Sequence, residues 1–295
     1  MQQILGVDIG NSGLRLARLD LSQGRVGEML RINWCPANSD NIRRCGQPSR
    51  RFLPDDPAWL DELDPFLANL ATDNLATTTN ATPIPPRCLL SSVRRDALQL
   101  LQQHLRQRWQ HTVQVVTCDM LPLQIEVEFP QQVGIDRLLA ALAALQLTPA
   151  RPLVVIQAGS AVTVDLVSAP KENNAEGCFE GGAIVPGVPM MLRLLGQAAD
   201  LLPQLDADDL LGLPALPGKN TEQAMRCGTA SALVGGVIHL VERYRHEYGG
   251  ELPIILSGGD GMRLSPYLSP PVIVEDHLVH RGLLRLAQLT ERQRH

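Results

Sequence analysis

A chain that writes one short pattern twice is pressed towards two similar halves, and this chain does so. Residues 4–20 read ILGVDIGNSGLRLARLD, and residues 153–168 read LVVIQAGSAVTVDLVS. Each is an aliphatic run, a polar residue, one apolar residue, a glycine and one or two small polar residues. A second alternating apolar run follows each. That order predicts strand, tight glycine turn, strand: a β-hairpin whose tip approaches something closely. Glycine at the tip lets backbone N–H groups reach an anion with no Cβ in the way.

Two such tips facing one another across a cleft are one way to hold the phosphates of ATP. The rest of the chain is compatible with a soluble enzyme. At 295 residues it has length for two similar domains. A formal net charge of −5 and an aromatic content of 3% argue against a nucleic-acid partner. No run of 18 apolar residues occurs, and MQQILGVDIG leads straight into the first pattern, so no membrane partner and a cytoplasmic location are expected. Cys35, Cys45, Cys88, Cys118, Cys178 and Cys227 are scattered without a C-x-x-C pair, which predicts reduced thiols. His277 and His280 lie three apart without a further ligand nearby, so a structural role is the simpler reading.

Between the hairpins lie an irregular basic stretch (36–57), a short helical pattern (WLDELDPFLANLA) and a Thr/Asn/Pro-rich loop (72–87). The strand CLLSSV (88–93), a helix over 96–109 and the strand VQVVT (113–117) suggest a βαβ unit. Residues 122–132 read as connector with an extended segment IEVEF, and 136–147 as a helix rich in leucine and alanine. After the second hairpin come an acidic loop (KENNAEGCFE) and a Gly/Pro-rich segment, GGAIVPGVPMMLRLL. A long helix over about 222–248 carries Gly228, Gly235 and Gly236, which imply close packing against another element. A strand ending in SGGDG and a helix over about 277–290 complete the chain. These features predict an α/β protein of two domains, 1–120 and 121–295, with a cleft between them.

Several residues suit chemistry in that cleft. Asp8 ends a strand beside a turn of free N–H groups, a setting for Mg²⁺ next to phosphate; Asn11 and Ser12 add donors and Arg15 adds charge. The same residues also serve a plain β-turn. Asp136, in the segment G-I-D-R (134–137), is either a helix cap or a general base that accepts a hydroxyl proton during attack on a γ-phosphate. Arg137 beside it can grip a carboxylate bidentately. Thr221, in G-K-N-T, is expected as a helix N-cap, or as a group on the substrate. Gly258 and Gly259, in S-G-G-D, form a close-approach turn suited to a purine or ribose.

Taken together, these segments resemble type III pantothenate kinase, of the acetate and sugar kinase, Hsp70 and actin superfamily. D-I-G-N-S (8–12), G-I-D-R (134–137), Q-A-G-S-A-V-T-V-D (157–165), G-G-A-I-V-P-G (181–187), G-K-N-T and S-G-G-D occur in the family's order. S-S-V (91–93) and H-R-G-L (280–283) are weaker echoes. The resemblance spans Leu5 to about Leu286. It implies two duplicated ribonuclease H-like domains of the actin-like ATPase fold with an interdomain ATP cleft. It also implies transfer of the γ-phosphate of ATP to pantothenate, the first step of coenzyme A synthesis. On this resemblance Asp8 positions Mg²⁺, while Gly10, Asn11, Ser12, Gly159, Ser160 and Ala161 cradle phosphates. Asp136 is the base, and Gly134, Ile135, Arg137 and Thr221 bind pantothenate. Homodimers and activation by K⁺ or NH₄⁺ are implied as well.

One residue departs from the family's pattern. Position 157, usually aspartate and a support for the monovalent cation, is Gln157. An amide oxygen brings no charge, so weak or absent activation by K⁺ or NH₄⁺ is expected. Two rival functions share the pattern: a small-molecule kinase with another acceptor, and a non-catalytic regulator of the transcription-accessory type. The intact Asp8 and Asp136 argue against the regulator.

Overall fold

The structure, a computed structural model, describes residues 3–34, 51–75, 87–110, 113–171, 173–205 and 214–292. Most of the basic stretch and of the Thr/Pro-rich loop therefore lie outside the described residues. The chain forms two units. The first comprises residues 1–121, 131–139 and 279–295, and the second 122–130 and 140–278. A single cut near residue 120 would part 131–139 and the last helix from the unit they join.

In the first unit, β1 (Gln3–Ile9), β2 (Gly13–Asp20) and β3 (Arg25–Trp34) form an antiparallel meander, with β4 (Arg51–Phe52) at its edge. Helix α1 (Asp64–Leu75) follows, then β5 (Arg87–Ser92), α2 (Arg95–Trp109) and β6 (Val113–Val115). The sheet order is β4-β3-β2-β1-β5-β6, with β5 parallel to β1 and β6 parallel to β5. Strand β1 is central, and its near-continuous apolar run is what a strand covered on both faces requires. Helix α2 buries Ala97, Leu101 and Leu105 at four-residue spacing and ends on Gln110 in the left-handed region, whose N–H donates to the Leu105 carbonyl. The core gathers Leu5, Val7, Ile9, Leu14, Leu16, Trp34, Trp59 and Leu90. The rings of Trp34 and Trp59 meet edge-on, with centroids 5.4 Å apart.

The second unit repeats this plan. It holds β7 (Leu123–Ile125), β8 (Leu153–Ala158), β9 (Ala161–Ser168), β10 (Gly177–Pro186), α4 (Val188–Ala198), α5 (Thr221–Tyr248), β11 (Ile254–Ser257), α6 (Gly261–Leu264) and β12 (Val272–Val274). Helix α3 (Ile135–Ala144) starts in the first unit and ends in the second; α7 (Leu278–Arg292) closes the chain. Sheet order β12-β11-β8-β9-β10-β7 is the first sheet's order over again: an antiparallel meander, two parallel strands beside its first member, and a short parallel strand on its outer edge. The duplication read from two hairpins is thus a duplication of whole sheets.

Some expectations need correction. The acidic loop ends earlier than expected: residues 177–186, its last four and the first six of the Gly/Pro-rich segment, are β10. Its glycines are strand residues because β9 leaves no room, since a Cβ at Gly182 would stand 2.2 Å from Asp165 Oδ1. Gly181, with φ +100°, forms a bulge in the same strand. In the connector the strand is Leu123–Ile125, earlier than IEVEF, and WLDELDPFLANLA divides into a 3₁₀ turn (Pro57–Glu62) and α1. Among the described residues nothing packs on Gly228, Gly235 and Gly236, since a Cβ at any of them would meet nothing within 4 Å. Among the described residues, α5 is the one helix long and apolar enough to cross a membrane. Its Leu233, Val237 and Val241 are built into the second unit's core, where they pack with Val154, Val164 and Leu256.

Gly13 marks the tightest point of the first sheet, where an added Cβ would lie 2.2 Å from the Ile32 carbonyl oxygen. Gly13→Ala should therefore destabilise the protein by about 1–3 kcal/mol, the usual scale of overpacking. Chemical denaturation measures this, and an unchanged midpoint would contradict the close approach.

Candidate active site

The first hairpin places a buried carboxylate beside an exposed loop. Asp8 is the penultimate residue of β1, opposite Arg15 on β2 and Ser91 on β5. It is only 5% exposed, and its Oδ1 accepts a hydrogen bond from the fully buried Ser91 hydroxyl at 3.2 Å. Just beyond, Asn11 and Ser12 are exposed at the tip. The tip is held from behind. Gly10 N–H donates to the Gly13 carbonyl at 2.9 Å, and Trp34 donates its backbone N–H to the Ser12 carbonyl and its indole N–H to the Gly10 carbonyl. With those carbonyls occupied by the sheet side, the loop is fixed for an outside ligand.

The second carboxylate comes from α3. Asp136 lies in the first turn, and its Oδ1 accepts the Arg137 N–H at 3.0 Å. Gly134 makes room for it, since a Cβ there would lie 2.5 Å from Asp136 Oδ1. Burial pushes the Asp8 carboxyl up to about 6, the nearby charge of Asp136 adds to this, and Arg15 and Ser91 oppose it. Asp136 is also raised by burial, against the pull of the Arg137 N–H and charge. Two desolvated carboxylates that repel each other are a poor structural pair and a good seat for a divalent cation, which would neutralise both. The residues fit Mg²⁺.

In the second unit the Gly159 N–H donates to the Ala161 carbonyl at 3.1 Å, closing a turn like that at Gly10. Two glycines press on it. A Cβ at Gly187 would lie 2.3 Å from the Gly159 carbonyl oxygen, and one at Gly258 (φ +97°) 2.2 Å from that of Ala158. Backbone N–H groups of Gly187 and Asp260 donate to Ser160 and Ala158. The turn 159–161 thus sits in a cradle of backbone, with Gly258 and the exposed Gly259 at its side. Gln157 and Thr163 face one another across β8 and β9, and Gln157 Oε1 and Thr163 Oγ1 are both buried without a hydrogen-bond partner. They offer two neutral oxygens and no charge, a weak fit to a monovalent cation.

The structure brings Asp8, Arg15, Ser91, Gly134 and Asp136 together in the first unit, and Gly159, Ser160, Ala161 and Gly258 in the second. Ile135 is a core side chain, so only its backbone is available to a ligand. Thr221 is not the N-cap of α5. That residue is Asn220, whose side chain accepts the Gln223 N–H at 2.8 Å, leaving Thr221 exposed in the first helical turn. Ser91, Trp34, Gly13 and Gly187 were not among the expected site residues. The serine pair ending an apolar strand was a signal for Ser91; nothing local marks Trp34, whose role depends on a strand pairing 24 residues away from Gly10.

The family model described as type III pantothenate kinase matches residues 4–243. The chain belongs to that family. It is 32% identical over 289 residues to the type III pantothenate kinase of Rhodopirellula baltica, covering 96% of this chain and 97% of that protein. A second relative, the type III pantothenate kinase of Paracidovorax citrulli, is 32% identical over 292 residues, with coverage of 96% and 97%. Among solved structures, a conserved putative Baf family transcriptional activator from Campylobacter jejuni superposes with a TM-score of 0.52 at 19% identity, covering 98% of this chain and 100% of that one. The activator of the 2-hydroxyisocaproyl-CoA dehydratase from Clostridium difficile, with bound ADPNP, gives 0.50 at 11% identity over 99% and 97%. These likenesses establish the actin-like ATPase fold.

The raised Asp8 has a measurable cost. Its carboxyl binds a proton more tightly folded than unfolded, so its stabilising contribution is complete below about 3.8 and is lost as pH rises through about 6. In metal-free buffer the wild type should lose about 2 kcal/mol relative to Asp8→Asn between pH 4 and 6. Parallel stability curves for the two proteins over that range would contradict the buried carboxylate.

Proposed function

We propose that the protein phosphorylates pantothenate at its primary hydroxyl with ATP, giving 4′-phosphopantothenate, the first step of coenzyme A synthesis. The observation that carries this is buried Asp8 beside half-buried Asp136 at the mouth of a glycine loop, in a chain of the type III pantothenate kinase family. Bound Mg²⁺-ATP supplies the phosphoryl group and the positive charge beside it.

The chain's own residues do the rest. Asp8 holds the cation side, and the turns at Gly10, Asn11 and Ser12 and at Gly159, Ser160 and Ala161, whose glycine N–H groups close the turns themselves, each present their remaining donors to phosphate oxygens. Arg15 adds charge, and Gly258 and Gly259 leave space on the nucleoside side. Asp136 accepts the proton of the attacking hydroxyl as oxygen bonds to phosphorus and the bond to ADP breaks. Its raised pKa makes it a better base than an ordinary aspartate. Gly134 and the Ile135 backbone line the acceptor, Arg137 takes the pantothenate carboxylate, and Thr221 contributes a hydroxyl.

We infer a cytoplasmic homodimer as well. Support for the dimer comes from the second unit, where the uncovered glycines of α5 and the exposed Met190, Leu194 and Leu195 of α4 leave a small-residue and apolar surface. Cys88, Cys118, Cys178 and Cys227 are free thiols, which suits a reducing compartment.

Release of ADP, coupled to a spectroscopic signal, tests the reaction. Turnover should require pantothenate, and Asp136→Asn should lower kcat by about 10²–10⁴-fold with ATP still bound. Equal turnover in the variant would remove Asp136 as base. No turnover by the wild type with pantothenate would point to another acceptor or to a regulator. In the same assay K⁺ and NH₄⁺ should leave the rate nearly unchanged, and Gln157→Asp should introduce a dependence on them. A saturable K⁺ requirement in the wild type would contradict the neutral site.

A further inference from the structure

The two carboxylates sit on elements that share no hydrogen-bond ladder: Asp8 on a central strand, Asp136 on a helix outside the sheet. Something must set their separation, and the last helix of the chain touches both supports. His280, in the first turn of α7, is 1% exposed, and its ring Nε2 lies 3.3 Å from the Arg15 carbonyl oxygen. Arg15 is the residue directly opposite Asp8 in the β1–β2 ladder. Two residues further on, a Cβ at Gly282 would stand 2.2 Å from the Leu139 carbonyl oxygen and 2.7 Å from its carbon. Leu139 lies one turn of α3 beyond Asp136. All of these residues belong to the first unit.

We propose that α7 is the spacer of the catalytic pair, with His280 as a positioning residue that anchors the helix to β2 at Arg15 while Gly282 lets it lie backbone to backbone on α3. His280 acts as an N–H donor from Nε2, which requires the tautomer carrying its proton there. It touches no reacting atom; it acts through Arg15 and Asp8 on one side and, along the helix, through Leu139 and Asp136 on the other. The rest of α7 is tied to the same sheet further away. Gln288 donates to the Leu21 carbonyl at 3.4 Å, and Glu291 pairs with Arg87. Those contacts hold the helix without facing the carboxylates, so they separate positioning from stability. The proposal rests on the kinase reading for its rate measurement but not for its spectroscopic one.

The experiment compares His280→Leu, which keeps bulk and removes the donor, with His280→Gln, which keeps a donor of similar reach, and with Gln288→Leu as a contact on the same helix remote from the site. In His280→Leu, kcat for pantothenate phosphorylation should fall about 10–100-fold, the scale of a misplacement near 1 Å, with KM for both substrates within about threefold of wild type. His280→Gln should recover most of the rate, and Gln288→Leu should keep its kcat even where its stability drops as much. A kcat that follows stability across the three variants would overturn the proposal. Should His280→Leu fail to fold, His280→Asn takes its place: its shorter amide falls short of Arg15, and equal rates for the Asn and Gln variants would overturn the proposal equally. A second readout needs no substrate. Backbone amide shifts of Asp8 and Asp136 in the free protein should move in His280→Leu, or in His280→Asn, and stay in place in Gln288→Leu. An unmoved Asp8 would overturn the proposal even if pantothenate proved not to be the acceptor, whereas a wild type that does not turn over pantothenate would count against the function alone.

Discussion

A buried aspartate, raised further by the charge of a second, half-buried one, is the constraint on which the rest of the first unit turns. Asp8 and Asp136 both lose solvation, and each carboxyl is raised as a result. An arrangement of this kind costs stability in the free protein and is tolerated only if neighbours hold it rigidly. The neighbours are specific: Ser91 from the parallel strand, Arg15 from the antiparallel one, Gly134 giving way to the Asp136 carboxylate. On the proposed reading, a cation bound beside Asp8 would offset that cost by neutralising the repulsion.

The loops follow from a related demand for close approach. Gly10 and Gly159 close turns of the same design, and each turn is backed by a residue distant in sequence: Trp34 behind the first, Gly187 and Gly258 behind the second. In the first case an aromatic side chain ties the loop carbonyls to the core; in the second, glycines let backbone press directly on backbone. Two physical solutions serve one geometry, which is why the halves repeat in topology while the residues supporting their tips do not.

How much of this could be read from the chain depended on range. The hairpins were legible because period-two alternation and a glycine tip are local signals, and Asp8 and Asp136 stood out by their places at a strand end and a helix start. The strand at 177–186 was not legible, since its glycines reflect the proximity of Asp165 and the Val164 carbonyl rather than a turn. From the sequence Thr221 reads as the cap, but Asn220, one residue earlier, holds the Gln223 N–H; both residue types cap helices, and the choice depends on where the chain enters α5. Gly228, Gly235 and Gly236 read as a face packed on another element, but among the described residues no atom approaches them. The long-range partners of the site, Ser91 and Trp34, depend on strand order, which no local pattern encodes.

The central claim is that the buried carboxylate pair is completed by Mg²⁺-ATP. Calorimetric titration of the wild type with Mg²⁺-ATP near pH 6, in buffers of different ionisation enthalpy, tests it most directly. Asp8 is about half protonated there, so binding should release protons to the buffer, and Asp8→Asn should abolish most of that release. Binding without proton release, or an equal release from Asp8→Asn, would contradict the account.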